Sequence, residues 1–451
     1  MLQNLLGWIR RVKQRLFPNA INSVFAVENV VSDKMQEAID LWSRMYINEA
    51  PWLKDCEVKS LGLPASIASE FARLATTEME ITITGGARAD FLNNQLAPFL
   101  SRARRELEMA LSVGGMVYKP FVDGNRIGID SIRQGEFYPV TFDSQGNLIG
   151  AVFLDYAAVK DKKYIRAEYH YFDSGVYRII NKAFAGDSNG VLGREAPLSS
   201  IPQWDGIQPE VSVQGLERPL FAYFKVPQAN CIDPDSPLGV SIYARAVDHI
   251  READTQWGRV SWEYESSERT LYVDKTACDN KNPKPRLIKE LDLGTDGEDT
   301  FHEFSPTIRD SSMFNGLNQI KRQIEFDCGM SYGTISDPIN EALTATEILA
   351  SKQRMYSTNY DIQKALETAI KNLVEAMDKI ATLYNLAPEG TYTITAEWHD
   401  SILTDEKEEL AEMRADVASG ILRPEKYIAK KYGIEEDKVK DWLPSMAELI
   451  G

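Results

Sequence analysis

Residues 344–385 read TATEILASKQRMYSTNYDIQKALETAIKNLVEAMDKIATLYN. Thr344 followed by Glu347 is the Thr-x-x-Glu capping box, in which the two side chains satisfy orphan amides at a helix start. From there Met355, Asn359, Ile362, Leu366, Ala369, Leu373, Ala376, Ile380 and Leu383 recur at alternating four- and three-residue spacing, one face of an α-helix. The spacing predicts a single helix of about 40 residues ending near Asn385, roughly 60 Å long at 1.5 Å per residue. Such a seam serves equally to pack on the chain's own core or to meet a neighbouring subunit in a coiled-coil-like contact, and periodicity leaves both open.

Upstream of this rod lie two further helices with a β-rich insert between them. Asp233-Pro234-Asp235-Ser236-Pro237 resists regular structure, and at Gly239 the pattern turns helical as far as Ser267, with a seam of Ala246, Ile250, Ala253, Trp257, Val260 and Tyr264. Thr270 to Pro306 reads as short strands interrupted by Pro283, Pro285 and the turn Asp296-Gly297. A second helix begins near Ser311, carries Leu317, Ile320 and Ile324, and stops at Gly329 to Gly333. A polar loop holding Ser336, Asp337, Pro338, Asn340 and Glu341 then leads into the rod. Beyond Pro388 come a strand, Tyr392 to Trp398, and two or three short charged helices between Thr404 and Leu449.

The first half of the chain mixes helices and strands. Leu2 to Phe17 is amphipathic and basic, with Arg10, Arg11, Lys13 and Arg15, and reads as a surface helix ended by Pro18 that could also touch a membrane or an acidic partner. Asp33 is placed to cap a helix carrying Ile39, Trp42 and Tyr46, and Pro64 suits the first turn of the next. Ala89 to Val113 is helical with a kink or restart at Pro98, and Gly114-Gly115 ends it. Met116 to Val122, Arg126 to Ile132, Leu148 to Leu154, Tyr164 to Phe172 and Val176 to Ile180, separated by Gly- and Asn-rich turns, predict an antiparallel meander. Phe221 to Val226 adds a strand, and the fold class is α+β.

The chain has 451 residues with 67 acidic and 50 basic side chains, a formal net charge of −17. Nucleic-acid affinity comes chiefly from Lys and Arg neutralising phosphates, so the whole surface cannot bind DNA and any contact must be local, for example at Lys321-Arg322. At 43% hydrophobic and 26% charged residues the composition is that of a folded protein of two to four domains. No run approaches the roughly 18 apolar residues of a membrane span, so assembly in the cytoplasm is expected. Cys56, Cys231, Cys278 and Cys328 form no Cys-x-x-Cys pair and are expected to be free, buried thiols.

Chemistry-bearing motifs are sparse. There is no phosphate-binding Gly-x-x-x-x-Gly-Lys loop and no Gly-x-Ser-x-Gly elbow. Gly186, Gly190 and Gly193 only loosely suggest a phosphate loop, because no helix or lysine follows. His170, His249, His302 and His399 fall in four different predicted elements, so no zinc spacing arises. Asp233 and Asp235 could hold a divalent cation with Asp248 or His249 as a distant third ligand, but a solvated acidic loop is the simpler reading. Asp292 to Asp299 is acidic without the register of a calcium loop. No catalytic residue, metal or cofactor is expected.

The organisation resembles the portal, or head-to-tail connector, proteins of tailed bacteriophages, especially those infecting Gram-positive hosts. The likeness runs from about Gln36 to Trp442 and rests on Gly114-Gly115-Met116-Val117-Tyr118-Lys119-Pro120, on Ser236-Pro237-Leu238-Gly239-Val240-Ser241 and on Thr344-Ala345-Thr346-Glu347. It implies an α/β wing from residues 1–238 with 344–400, stem helices at 239–267 and 311–332, a clip at 268–310, a tunnel loop at 333–343 and a short crown at 401–451. It also implies a homododecameric ring with double-stranded DNA in its channel, resident in the virion and assembled in the host cytoplasm. The implied partners are the terminase large subunit, a neck or head-tail adaptor protein, the major capsid protein and a scaffold, with no membrane. Translocation would be driven by a separate ATPase. In this frame Ser336, Asp337, Asn340 and Glu341 are expected to face DNA from the tunnel loop, and Lys321 and Arg322 from the stem. A conduit that neutralised phosphates would hold DNA that must slide, so an acidic wall suits it. The alternatives are a head-tail adaptor without a channel and a metal-dependent phosphodiesterase using Asp233, Asp235 and Asp248.

Overall fold

The computed structural model describes residues 18–28, 30–160, 162–186, 192–267, 270–274, 288–291, 301–304, 307–337, 345–398, 406–432, 434 and 438–439. Residues 1–77 with 81–396 form one compact unit, and residues 78–80 with 397–451 a second. The chain is mixed α and β with largely antiparallel sheets.

Helix α1 (Pro18–Phe25) starts at the proline expected to end a helix, a residue whose missing N–H costs nothing in a first turn. In α2 (Asp33–Tyr46) the cap is Ser32, one residue earlier than read from sequence: its hydroxyl accepts from the Met35 amide at 3.3 Å. Helix α3 (Leu63–Thr76) carries Pro64 in its first turn and leads to β1 (Met79–Gly85), a strand the sequence reading did not find. The expected helix from Ala89 is two: α4 (Ala87–Leu100) contains Pro98, and α5 (Ala103–Val113) resumes after a break at Ser101-Arg102. The proline removes one ladder bond and crowds the preceding turn, so the helix ends within one turn of it.

The expected meander is divided between two sheets. Strands β2 (Gly115–Asp123) and β3 (Arg126–Arg133) pair with β10 (Ala222–Lys225) in the order β10-β2-β3, all antiparallel. Strands β4 (Phe137–Phe142), β5 (Leu148–Val159), β6 (Lys162–Asp173), β7 (Val176–Gly186) and β8 (Leu192–Ala196) form the second sheet in chain order, and β9 (Glu210–Val213) pairs with β7. The corner between the sheets is Gln134-Gly135. Gln134 is buried, its Nε2 donates to the carbonyls of Val113 and Gly239 at 3.0 and 2.8 Å, and its Oε1 accepts from the Tyr223 hydroxyl at 2.7 Å. Gly135 has φ +93°, which the turn requires and a Cβ would strain.

Gly114 and Gly239, which open two of the resembling motifs or lie within them, meet backbone to backbone. A Cβ on Gly114 would sit 2.5 Å from the Gly239 carbonyl oxygen. The helix expected from Gly239 therefore begins later, as a 3₁₀ turn at Ala244–Ala246 and then α6 (Val247–Ser266). Residues 239–243 are instead fixed from outside: the Ile242 amide donates to Leu111 O at 2.9 Å and the Gly239 amide to the Tyr223 hydroxyl at 3.3 Å.

The insert contains β11 (Thr270–Asp274), β12 (Ile288–Leu291) and β13 (Phe301–Phe304) in the order β12-β11-β13; the β11–β12 pair is parallel and the β11–β13 pair antiparallel. Helix α7 (Asp310–Cys328) returns alongside α6. Helix α8 (Ala345–Leu383) is 39 residues long, about 58 Å at the standard rise, and β14 (Tyr392–Trp398) follows it with the predicted bounds and pairs with β1.

The seam of α8 is covered by its own chain. Met355, Ile362, Leu366, Ala369, Leu373, Ala376 and Ile380 are buried, and so are Ile370, Val374 and Met377 outside the narrow seam. The helix packs on β10, β2, α3 and α4, so between the two uses left open by the spacing this stripe is core. Leu383, at its end, is 46% exposed. Burial of each large aliphatic side chain here contributes about 1.5 to 3 kcal/mol. Arg88 of α4 is buried against α8, with Nε 3.2 Å from Asp378 Oδ1 and Nη2 donating to Thr382 Oγ1 at 2.6 Å.

In the second unit α9 (Glu406–Ala418) and α10 (Pro424–Tyr432) are joined through Gly420 at φ +74°. The Ile421 amide reaches Asp416 O and the Gly420 amide reaches Val417 O, a Schellman ending. Among the described residues no helix is long and apolar enough to cross a membrane. Cys328 is buried, whereas Cys56 and Cys231 are exposed, contrary to expectation; Cys278 lies outside the described residues.

Candidate functional site

Helices α6 and α7 form an antiparallel hairpin closed by polar side-chain contacts at both ends. Towards the insert, Arg309 grips both carboxylate oxygens of Glu263, Nε to Oε1 at 3.1 Å and Nη2 to Oε2 at 2.8 Å, and these hydrogen bonds hold the Glu263 carboxyl below its ordinary range. At the opposite end His249 Nδ1 lies 2.7 Å from Asp327 Oδ2, while Gln323 Nε2 donates to the other oxygen at 2.9 Å. Ile250, Ala253, Val260, Leu317 and Ile324 fill the space between the helices. Tyr264, predicted in this seam, is 42% exposed, because one residue past Glu263 the helix face has turned to solvent. Trp262 is 61% exposed and Phe314 is also exposed, leaving large apolar side chains bare on the hairpin.

The hairpin positions the loop that follows. Helix α7 ends in a Schellman motif: Gly329 is left-handed at φ +76°, its amide reaches Phe326 O at 3.2 Å, and the Met330 amide reaches Glu325 O at 2.8 Å. Glu325, fully buried, then gathers the loop. Its carboxylate accepts from the amides of Gly333, Ile335 and Ser336 at 3.2, 2.7 and 2.9 Å and from the Ser336 hydroxyl at 2.8 Å. Asn318 Oδ1 accepts from the Asp337 amide at 2.7 Å. One side chain thus organises 333–336 before the chain passes Asp337.

This geometry redistributes the expected site residues. Asp337 is exposed. Ser336 is buried and its hydroxyl faces Glu325, so it fastens the loop and does not present a polar group outward. Lys321 and Arg322 are half-buried on α7, with the Arg322 Nε sealed from solvent and without a hydrogen-bond partner. Asn340, Glu341 and the Thr344 end of the capping box lie outside the described residues. Glu325 was not singled out from sequence. The available signal was an acid adjoining Ile324 on the buried phase of the helix, since burial of a carboxylate demands donors.

The residues of the alternative cation site do not converge. Asp233 accepts from the Ser32 hydroxyl at 2.6 Å, Asp248 pairs with Arg251, and His249 faces Asp327. Among the described residues no group of three His, Cys, Asp or Glu side chains could hold a metal ion.

A second polar constellation lies inside the larger sheet. Glu168 receives Lys119 Nζ at 2.8 Å, Arg166 Nη1 at 3.2 Å and His170 Nε2 at 2.7 Å. Burial alone would raise its carboxyl, but Lys119, His170 and Arg166 outweigh that and hold it well below the ordinary range. Burial depresses His170. Because the carboxylate only accepts, the neutral imidazole carries its proton on Nε2, and Nδ1 accepts from the Tyr177 hydroxyl at 2.7 Å, whose oxygen accepts from the Leu220 amide at 3.0 Å. The network ties Lys119 of β2 to β6 and β7, and within it only the Arg166 Nε is left without a hydrogen-bond partner.

In comparisons with known proteins, no family model matches this chain and no curated protein matches it.

Proposed function

We propose that the chain is a non-enzymatic ring subunit forming the portal vertex of a tailed-phage capsid, the opening through which double-stranded DNA is packaged and ejected. The observation that carries this reading is the hairpin: two antiparallel helices with a small sheet inserted at one end, and at the other an anchored loop leading into a 39-residue helix. In this reading the hairpin is the stem, the inserted sheet is the clip that meets terminase and the neck adaptor, and Trp262, Tyr264 and Phe314 are covered by a neighbouring subunit. Asp337 leads the polar segment that approaches DNA, with Asn340 and Glu341 beyond it, and Lys321 and Arg322 help to centre the duplex. Ser336 is removed from the DNA-facing set and becomes part of the loop's anchor. The surplus of 17 acidic groups on each copy keeps the duplex from being retained, since strong phosphate neutralisation would impede sliding.

Native mass spectrometry of the purified chain tests the assignment. A mass equal to a closed ring of about a dozen copies is expected, because cyclic homo-oligomers close on themselves. A monomer at every concentration would contradict it. A monomer that cleaves phosphodiesters with magnesium would turn the assignment to the enzyme alternative.

A further inference from the structure

Two links between the sheets converge on one titratable ring. His170 of β6 is buried, roughly perpendicular to Phe153 of β5 and to Phe221, with 5.3 and 5.9 Å between ring centroids. Through Nε2 it meets Glu168, which holds Lys119 of β2. Through Nδ1 it meets the Tyr177 hydroxyl of β7, whose oxygen accepts from the amide of Leu220, two residues before β10. Strands β2 and β10 are neighbours in the smaller sheet, so the imidazole stands where both reach the larger one.

The positions of the protons decide what acid does here. While the imidazole is neutral, Nδ1 accepts, the Tyr177 hydroxyl donates to it, and the tyrosine oxygen takes the Leu220 N–H. Once Nδ1 carries a proton, two donors face each other across 2.7 Å. The hydroxyl proton then has to turn away from His170, and the oxygen's other neighbour, the Leu220 amide, is a donor as well. Tyr177 does not escape by ionising, because burial raises its hydroxyl well above the ordinary value. One buried polar group is left unpaired, which is costly. The charges around the ring push the same way. Lys119 of β2 and Arg166 of β6 are cations, and Glu168, the carboxylate in contact, is shared with both. Asp130 of β3 and Asp155 of β5 stand behind these cations, Asp155 Oδ2 lying 3.3 Å from Arg166 Nη2. Among the described contacts of the ring, β7 contributes Tyr177 and the segment before β10 contributes Phe221, neither of them charged.

We infer that His170, Tyr177 and Leu220 form an acid-released latch: a proton taken up on His170 Nδ1 breaks the Tyr177–Leu220 bond and loosens the entry to β10 from the larger sheet, while β5, β6 and β7 stay paired. Burial depresses His170, and Glu168 lies well below the ordinary carboxylate range, so falling pH reaches the histidine first. The latch is complete above the ordinary histidine value of 6.5 and opens as the pH drops through it towards the value of the buried ring. Val117, Phe137 and Phe153 still pack with Phe221 in one apolar cluster, which confines the opening to the residues around Leu220. The latch belongs to the single chain and does not rest on the ring reading.

Hydrogen exchange at the Leu220 amide of the full chain, corrected for the intrinsic rate and followed against pH, reads the latch directly. Protection is expected to hold near neutral pH, to fall by about tenfold in mild acid, and to level off where NMR shows the His170 ring itself titrating, with the amides of β5, β6 and β7 unchanged. His170→Asn keeps an accepting oxygen but takes up no proton, and should abolish the pH step. Tyr177→Phe should give fast exchange at Leu220 at every pH, a result that tests the latch even where the histidine variant folds poorly. A pH step that persists in His170→Asn, or Leu220 protection untouched by Tyr177→Phe, would overturn the inference. So would loss of protection in β5, β6 and β7 together with Leu220, or an imidazole that takes up no proton before the whole chain unfolds.

Discussion

The sheet-and-helix core and the exposed face of the α6–α7 hairpin use charged and apolar side chains in opposite ways. In the core, charges are inside and paired: Arg88 on Asp378, and Glu168 among Lys119, Arg166 and His170. On the hairpin, Trp262 is largely exposed and Tyr264 and Phe314 partly so, while the polar contacts between its helices sit at the two ends. A core that encloses polar groups must satisfy each of them, whereas a surface that leaves aromatics in water is complete only when another surface covers them. In the proposed ring, the hairpin's exposed aromatics are covered by a neighbouring copy, whereas the core is packed within one chain.

Substitutions in the core should therefore destabilise the single chain, and substitutions of the hairpin's exposed aromatics should not. Leu366→Asp places an unpaired charge beneath α8, and a loss of about 4 kcal/mol or more is expected, enough to abolish a cooperative thermal transition. Asp378→Ala strands the buried Arg88 and should cost about 3 to 5 kcal/mol, read from denaturant unfolding. Glu325→Gln weakens four contacts to the loop. Hydrogen exchange at the Ile335 and Ser336 amides should quicken, with a local loss of about 1.5 to 3 kcal/mol and little change in the global transition.

The His170 network predicts a smaller, pH-dependent effect. Its folded pKa is depressed, so below the ordinary histidine value near 6.5 the unfolded chain binds the proton more readily than the folded one. Stability should be full above that value, fall as the pH drops through it and level off below the depressed folded value. Glu168, also depressed, adds a further loss as the pH falls below the ordinary carboxylate value and on through its folded one. His170→Asn should remove the upper of these two windows from a melting-temperature series. Smallest of all, Trp262→Ser should alter the stability of the isolated chain by no more than about 0.5 kcal/mol; a large loss would show that Trp262 is already part of a core.

What could be read in advance followed how local its causes were. Helix α8 and strand β14 were legible because a heptad and a run bounded by Pro388 are decided within the segment itself. The split of the meander was not, since the corner depends on Gln134 bonding to Val113 and to Gly239, more than a hundred residues away. The same distance explains the late start of α6, where Gly239 is pressed against Gly114. At the site, the loop's polar character was legible in the sequence, but the burial of Ser336 was not, because its direction is set by Glu325 on the preceding helix.

Negative-stain electron microscopy of the purified full-length chain tests the central claim most directly, since it asks whether the hairpin's bare surface is completed by copies of itself. Class averages showing closed rings with an axial hole wide enough for a DNA duplex are predicted. Isolated particles the size of one chain, or rings without a hole, would contradict the account.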